Sequence, residues 1–153
     1  MIKFRLLDAE IVEAYRKEIA KFYYDNVRSN AFLGHYTYEE AYEKIGSLVS
    51  HLADGTAIAY GAFENEELCG FIWAYRHQFR EEERMYVSEI RVKEEKRNCG
   101  IGTDLLKLVE DKAKEMGIRA MYLHAEANNT KALRLYKGLG FKEERIQLRK
   151  YLA

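Results

Sequence analysis

Between Thr56 and Val92 three β-rich runs follow one another with no helical spacing between them: Thr56 to Phe63, Leu68 to Tyr75 and Met85 to Val92. Four polar residues, Glu64 to Glu67, join the first two at hairpin spacing, and a charged segment, Arg80 to Arg84, leads to the third. On either side of this block the apolar period is helical. Successive strands flanked by amphipathic helices bury their apolar faces against one another, so the chain is expected to fold as an α/β layered domain with helices packed on a mixed sheet.

The flanks supply the rest of the order. Ile2 to Leu6 reads as a short strand, and Asp8 caps a helix on which Ile11, Tyr15, Ile19, Phe22 and Tyr23 recur. Thr37-Tyr38-Glu39-Glu40 has the capping-box pattern and opens a second helix with Ala41, Ile45, Leu48, Val49 and Leu52 on one side, ended by Asp54-Gly55. Beyond the third β-run, Leu105, Leu108, Val109, Ala113 and Met116 form the stripe of another helix, and Gly117 is placed to terminate it. Met121 to Ala127 alternates as a strand, Asn128 or Asn129 caps a short helix through Leu139, and Gly140-Phe141 begins a final β region ending at Leu152. No proline or repeat interrupts the 153 residues, which are read as one domain, 1–153.

Lys plus Arg equals Asp plus Glu, so no global field draws nucleic acid or an anionic membrane, and neither is expected as a partner. The start, MIKFRLLDAE, lacks the features of a secretory signal, and no apolar run approaches the roughly 18 residues of a membrane span. A cytoplasmic location is expected. Cys69 and Cys99 are too few for a disulfide framework and lack zinc spacing, and His124 with Glu126 finds no further ligands, so no metal is expected.

The stretch Lys96-Arg97-Asn98-Cys99-Gly100-Ile101-Gly102-Thr103 sets two glycines between a pair of basic residues and the start of a helix. A helix start exposes unpaired N–H groups and partial positive charge, and glycine lets a bulky anion reach them. The loop therefore suits a phosphate or pyrophosphate. Leu105 stands where the dinucleotide fingerprint needs its third small residue, and no Gly-Lys-Ser/Thr follows as in ATP-binding loops. Gly100-Ile101-Gly102 by itself also fits a plain strand-to-helix turn.

The spacing Arg97-x-x-Gly100-x-Gly102, after a strand ending at Val92, resembles the pyrophosphate signature of the GCN5-related N-acetyltransferases (GNAT). The run from Asn129 to Phe141 resembles that family's Asn-x-x-Ala-x-x-Leu-Tyr-x-x-x-Gly-Phe, in the family's order and separation, and Leu68-Cys69-Gly70-Phe71-Ile72 looks like its third strand. The resemblance implies a six- or seven-stranded mixed sheet with helices on both faces, splayed between strands 4 and 5, with acetyl-CoA as co-substrate wedged into the splay. The last hairpin is short, since only about a dozen residues follow Phe141.

The same resemblance assigns roles. The amides of Arg97, Asn98, Cys99, Gly100, Ile101, Gly102 and Thr103 would hold the pyrophosphate. Ile90, Arg91 and Val92 would bond the pantetheine arm, with the Val92 N–H polarising the thioester carbonyl. Asn129 and Ala132 would complete the cofactor site, and Tyr136 would stand near the sulfur and protonate the departing thiolate. Tyr136 also lies on an apolar stripe with Ala132, Leu133 and Leu139, and Asn129 caps its helix in either case. Two bases compete: Glu89, three residues before Val92, and His124, at a position where the branch acetylating ribosomal-protein N-termini carries a glutamate. Cys99, a thiol at a helix start beside Lys96 and Arg97, is a rival nucleophile without a neighbouring histidine in sequence.

Family resemblance sets the acceptor between Asn26 and Thr37, with Phe32, His35 and Tyr36, and around Gln78 to Arg84, where Glu81-Glu82-Glu83 would draw a cationic amine or simply be solvated. Three functions are consistent with these residues. The first is an acetyl-CoA-dependent acetyltransferase for a small-molecule amine, monomeric or homodimeric. The others are a protein N-terminal or lysine acetyltransferase, and a non-catalytic acyl-CoA-binding module.

Overall fold

A computed structural model describes residues 1–27 and 35–153. In chain order the elements are β1 (Ile2–Leu6), α1 (Ala9–Ala14), α2 (Arg16–Val27), α3 (Tyr38–Ala53), β2 (Ala57–Glu64), β3 (Glu67–Phe79), β4 (Glu82–Val92), α4 (Ile101–Glu115), β5 (Ala120–Tyr122) and α5 (Thr130–Gly138). The chain divides into two compact units, Met1–Leu123 and His124–Ala153.

In the first unit the five strands form one mixed sheet in the order β1-β2-β3-β4-β5, antiparallel except for the parallel β4–β5 pair. Helices cover both faces. α1, α2 and α3 bury Val12, Ile19, Phe22, Ala41, Ile45 and Leu48 against Ala57, Ala59, Phe63, Phe71 and Trp73. α4 lies on the opposite face against β2, β3 and β4, with Ile101, Leu105, Val109 and Ala113 buried. Large apolar side chains on both faces supply the stabilisation, each worth about 1.5–3 kcal/mol when fully buried.

Among the described residues the sheet has five strands where six or seven are expected. Met121 to Ala127 narrows to Ala120–Tyr122, which leaves His124 beyond the strand, and no residue after Gly138 is in a strand. A strand needs a neighbour's ladder to satisfy its backbone. Within the second unit, taken by itself, the β-patterned side chains Ile146, Leu148, Tyr151 and Leu152 are exposed. β4 and β5 pair only over Arg84–Tyr86 and Ala120–Tyr122, whereas β4 continues to Val92 on β3.

Two other boundaries differ. The first predicted helix is broken at Tyr15 (φ −104°), and α2 starts at Arg16, whose guanidinium donates from Nε and Nη2 to the Tyr42 carbonyl of α3 at 3.0 and 2.9 Å. Gln78 to Arg84 is the tip of a long β3–β4 hairpin, with Gln78 opposite Glu83 and Phe79 opposite Glu82. The apolar pattern stops at Tyr75, but polar pairs carry the ladder on. Glu83 salt-bridges Arg76 and Glu82 salt-bridges Arg84, so two members of the acidic run are occupied within the hairpin.

Candidate functional site

β4 ends at Val92, and a 3₁₀ turn, Glu94–Lys96, leads to the glycine loop. Lys96 is turned aside to Glu64, with Nζ 2.7 Å from Oε1. That bond holds the Glu64 carboxyl below the usual range and the Lys96 ammonium above its own. The Arg97 amide donates to Glu94 O at 3.2 Å, so it is already used, and Arg97 Nε donates to Val92 O at 3.3 Å. The expected run of open amides therefore begins one residue later, at Asn98.

Asn98 and Gly100 both adopt the left-handed conformation, at φ 64° and 82°. Such alternation curls successive N–H groups towards one side. Gly100 caps α4, and Asp104 N closes the first turn on Gly100 O at 3.0 Å. From Asn98 to Thr103, no amide meets a protein acceptor outside the helix among the described residues. A Cβ on Gly100 would meet nothing within 4 Å, and one on Gly102 would reach only Ile90 Cδ1, at 3.9 Å. Protein packing does not require bare backbone at Gly102. The residues fit a pyrophosphate held by main-chain donors at a helix start.

The end of β4 also presents backbone. Lys93 N donates to Cys69 O at 2.8 Å, which fixes the phase of the ladder, since hydrogen-bonded pairs alternate along an antiparallel register. Lys93, Arg91 and Glu89 bond to β3, and the N–H groups of Val92 and Ile90 turn away from it, toward the side on which β5 pairs lower down. Ile101 is buried against Gly70, while Cys99 is exposed, its Sγ 3.6 Å from Arg97 O.

One residue before this segment the register slips. Trp73 opposes Glu89 but Ala74 opposes Val87, so Ser88 is an extra residue in β4. The bulge reverses the facing of the residues beyond it. Val87 packs with Ala74 on the α4 side, and Glu89 emerges beneath α2 and α3. Its side chain is only 11% exposed. Oε1 accepts from Lys44 Nζ at 2.7 Å and from Tyr23 Oη at 3.0 Å, and Oε2 lies 3.1 Å from Arg91 Nη2.

Tyr23 is further hydrogen-bonded to Tyr36, and burial, then the Glu89 charge, pushes its hydroxyl above its ordinary value. Burial likewise raises Tyr36, Tyr75 and Tyr86. All four remain donors at neutral pH. The stripe runs on across the sheet: Tyr86 stacks on Tyr122 at 4.8 Å, and Tyr122 Oη lies 2.7 Å from His77 Nδ1. Phe32 lies outside the described residues; His35 is exposed.

Sequence reasoning missed Lys44, Tyr75, Tyr86 and Tyr122, and took Tyr23 as a packing residue. One signal was available. Lys44 sits between Ala41 and Leu48 on the apolar stripe of α3, where a charge needs a buried partner.

His124, Asn129, Ala132 and Tyr136 belong to the second unit. Asn129 Oδ1 accepts from Ala132 N at 3.2 Å and caps α5. Tyr136 packs edge-on against Phe141 at 5.9 Å, and its carbonyl accepts from Phe141 N at 3.0 Å. His124 is exposed. Among the described residues no three His, Cys, Asp or Glu side chains are grouped to hold a metal, and no helix is long and apolar enough to cross a membrane.

Comparison with known proteins accords with this arrangement. The sequence profile described as "Acetyltransferase (GNAT) family" matches residues 13–141. An N-alpha-acetyltransferase of Sulfurisphaera tokodaii is 33% identical over 114 residues, covering 69% of this chain and 68% of that protein. The uncharacterized N-acetyltransferase YdgE of Bacillus subtilis is 23% identical across 94% of each chain. Among solved structures, an aminoglycoside acetyltransferase from an uncultured soil metagenomic sample superposes with a TM-score of 0.76 at 20% identity, covering 100% of this chain and 99% of the other. AAC(6')-Iy in complex with the bisubstrate analogue CoA-S-monomethyl-acetylneamine gives 0.75 at 16% identity, covering 100% and 99%. These structures share the fold. With the profile spanning most of the chain and the glycine loop at the start of α4, the protein belongs to the GNAT family and thereby to the acyltransferases.

Proposed function

We propose that the protein is an acetyl-CoA-dependent N-acetyltransferase acting on a primary amine of a small molecule by direct attack, with residues 1–153 working as one catalytic domain. The observation that carries this reading is the row of amides from Asn98 to Thr103 at the start of α4, which find no protein acceptor outside the helix among the described residues. Bound there, acetyl-CoA supplies an activated thioester carbonyl. The chain's own groups do the rest. Main-chain N–H groups from Asn98 to Thr103 neutralise the pyrophosphate, with Arg97 alongside. Ile90 and Val92, turned off β3, bind the pantetheine amides, and the Val92 N–H donates to the carbonyl oxygen as negative charge develops on it.

The acceptor amine must be neutral to attack, so a base takes its proton. Glu89 is one candidate: Oε1 carries two donors and Oε2 one, which leaves Oε2 a lone pair for the amine or an intervening water. His124 is the other. Tyr136, which matches the family tyrosine, protonates the leaving thiolate. Asn129 and Ala132 form the helix start beside the cofactor in this reading.

A small-molecule acceptor is supported by the aminoglycoside acetyltransferases among the structural neighbours. The N-alpha-acetyltransferase relative favours a second reading, a protein N-terminus. A thiol-release screen with acetyl-CoA against small amines and short peptides separates the two. A thermal-shift series with acetyl-CoA, CoA and NAD tests the cofactor: at about a hundred times its dissociation constant a ligand adds about 2.7 kcal/mol. No response to either CoA species would defeat the reading.

A further inference from the structure

The charges that surround Glu89 say something about the acceptor. Lys44 and Arg91 both touch its carboxylate, so two cations face one anion, and the hairpin acids Glu82 and Glu83 are tied to Arg84 and Arg76. Lys44 and Arg91 keep 36% and 33% of their side chains in solvent, whereas Glu89 keeps 11%. An incoming molecule therefore meets the cations first. The hydroxyls of Tyr23, Tyr36, Tyr75 and Tyr86 stay protonated, as burial raises each of them. Two more donors close by, Arg91 Nε and Trp73 Nε1, are buried without an acceptor among the described residues. At the Glu89 carboxylate itself, two cations and the Tyr23 hydroxyl face one anion, with Glu40 acting on Tyr36 from the start of α3.

A polycation would be repelled here, and two of the three acids expected to attract one, Glu82 and Glu83, are already paired with arginines. An amine that brings its own anion finds the reverse: its negative group complements Lys44 and Arg91. Its amine then lies within reach of the free lone pair on Glu89 Oε2.

We infer that the acceptor is a small amine bearing a carboxylate, of the α-amino acid type, seated with its carboxylate on Lys44 and Arg91 and its amine toward Glu89. This rests on the acetyltransferase reading and narrows its acceptor. It separates this chain from the aminoglycoside acetyltransferases whose fold it shares, since their named acceptors are polycationic.

The test uses the full chain and matched amines that differ only in the group beside the amine: phenylalanine, its amide and phenethylamine, then lysine and cadaverine, with spermidine as the polycation. Thiol release from acetyl-CoA is followed for each. The carboxylate member of each set is expected to have a kcat/KM at least about tenfold above its neutral or cationic partner, the ratio that about 1.4 kcal/mol supplies. Lys44→Gln should erase most of that ratio by raising KM for the carboxylate members while KM for acetyl-CoA holds, and Lys44→Arg should restore it. A ratio unchanged in Lys44→Gln overturns the seat. Preference for phenethylamine, the amide or spermidine overturns the acceptor class but leaves the acetyltransferase reading standing, as does thermal stabilisation by acetyl-CoA with no turnover on any member. Neither stabilisation nor thiol release defeats both together.

Discussion

The start of α4 and the side-chain cluster around Glu89 lie at the same end of β4 and are built on opposite principles. The loop is made of backbone: its donors are the main-chain amides of a helix start, and its side chains turn elsewhere, Lys96 to Glu64 and Arg97 Nε to Val92 O. The cluster is made of side chains already locked to one another, with Tyr23 from α2, Lys44 from α3 and Arg91 from β4 meeting on a single carboxylate. A backbone site can wait open, because a helix start always has N–H groups to spare. A buried carboxylate cannot, because unpaired charge in the interior is costly. The first leaves main-chain donors open at a helix start, whereas the second has its charges already assigned to one another.

The sharpest way to break this contrast is Gly102→Val. Since a Cβ there meets only Ile90 Cδ1 at 3.9 Å, the free protein should lose little stability. Acetyl-CoA affinity should nonetheless fall by a hundredfold or more, about 2.7 kcal/mol, removing the thermal shift that the cofactor gives the unaltered chain. Equal cofactor binding in the variant would mean that the pyrophosphate lies elsewhere.

Glu89→Gln should do the opposite. It leaves Lys44 and Arg91 facing each other without their anion and should lower stability by about 1–2 kcal/mol, less than a fully buried pair because both cations are a third exposed. Turnover should drop about a hundredfold with acetyl-CoA binding intact. Full activity would transfer the base to His124, whose replacement by Ala is the matching measurement.

Tyr136→Phe should reduce turnover about tenfold, a modest loss because a thiolate leaves with little assistance, and should leave acetyl-CoA affinity alone. Unchanged turnover would confine Tyr136 to packing on Phe141.

A smaller effect is expected in alkali. The folded state holds the Tyr23 and Tyr36 hydroxyls above their ordinary value of 10.0, with burial the main cause, so the unfolded chain releases these protons first. Stability is full below that value and falls as pH rises past it. Urea melts between about pH 9 and 11 should show this slope, and Tyr23→Phe should flatten it. The smallest change is expected from Glu64→Gln, which frees Lys96. The Glu64 carboxyl is held low, so its contribution is present above its ordinary value of 4.5 and lost as pH falls through its folded value. The variant should lose that part of the acid sensitivity and bind acetyl-CoA up to about threefold more tightly, the scale of one exposed ion pair.

Much of the loop was legible in the primary structure because its chemistry is local. Gly100 at φ 82°, the absence of a side chain at 102 and the amphipathic stripe behind them act within a few residues of one another. The Asn129 cap is of the same kind. The hairpin was misjudged where the apolar pattern stopped at Tyr75, since cross-strand polar pairs leave no periodic trace. The late β region was longer in expectation than among the described elements because an apolar β pattern says what a segment would bury, not which strand it would pair with.

By itself, then, the order of residues determined the layered α/β fold, the family and the glycine-marked start of α4, all of which rest on periodicity and on backbone freedom over short spans. Tertiary structure alone decided which way Glu89 faces, through one extra residue at Ser88, and which groups surround it, since Tyr23, Lys44 and Glu89 are separated by 21 and 45 positions along the chain. Charge neutralisation depends on distance in space, and no spacing in the sequence encodes that distance.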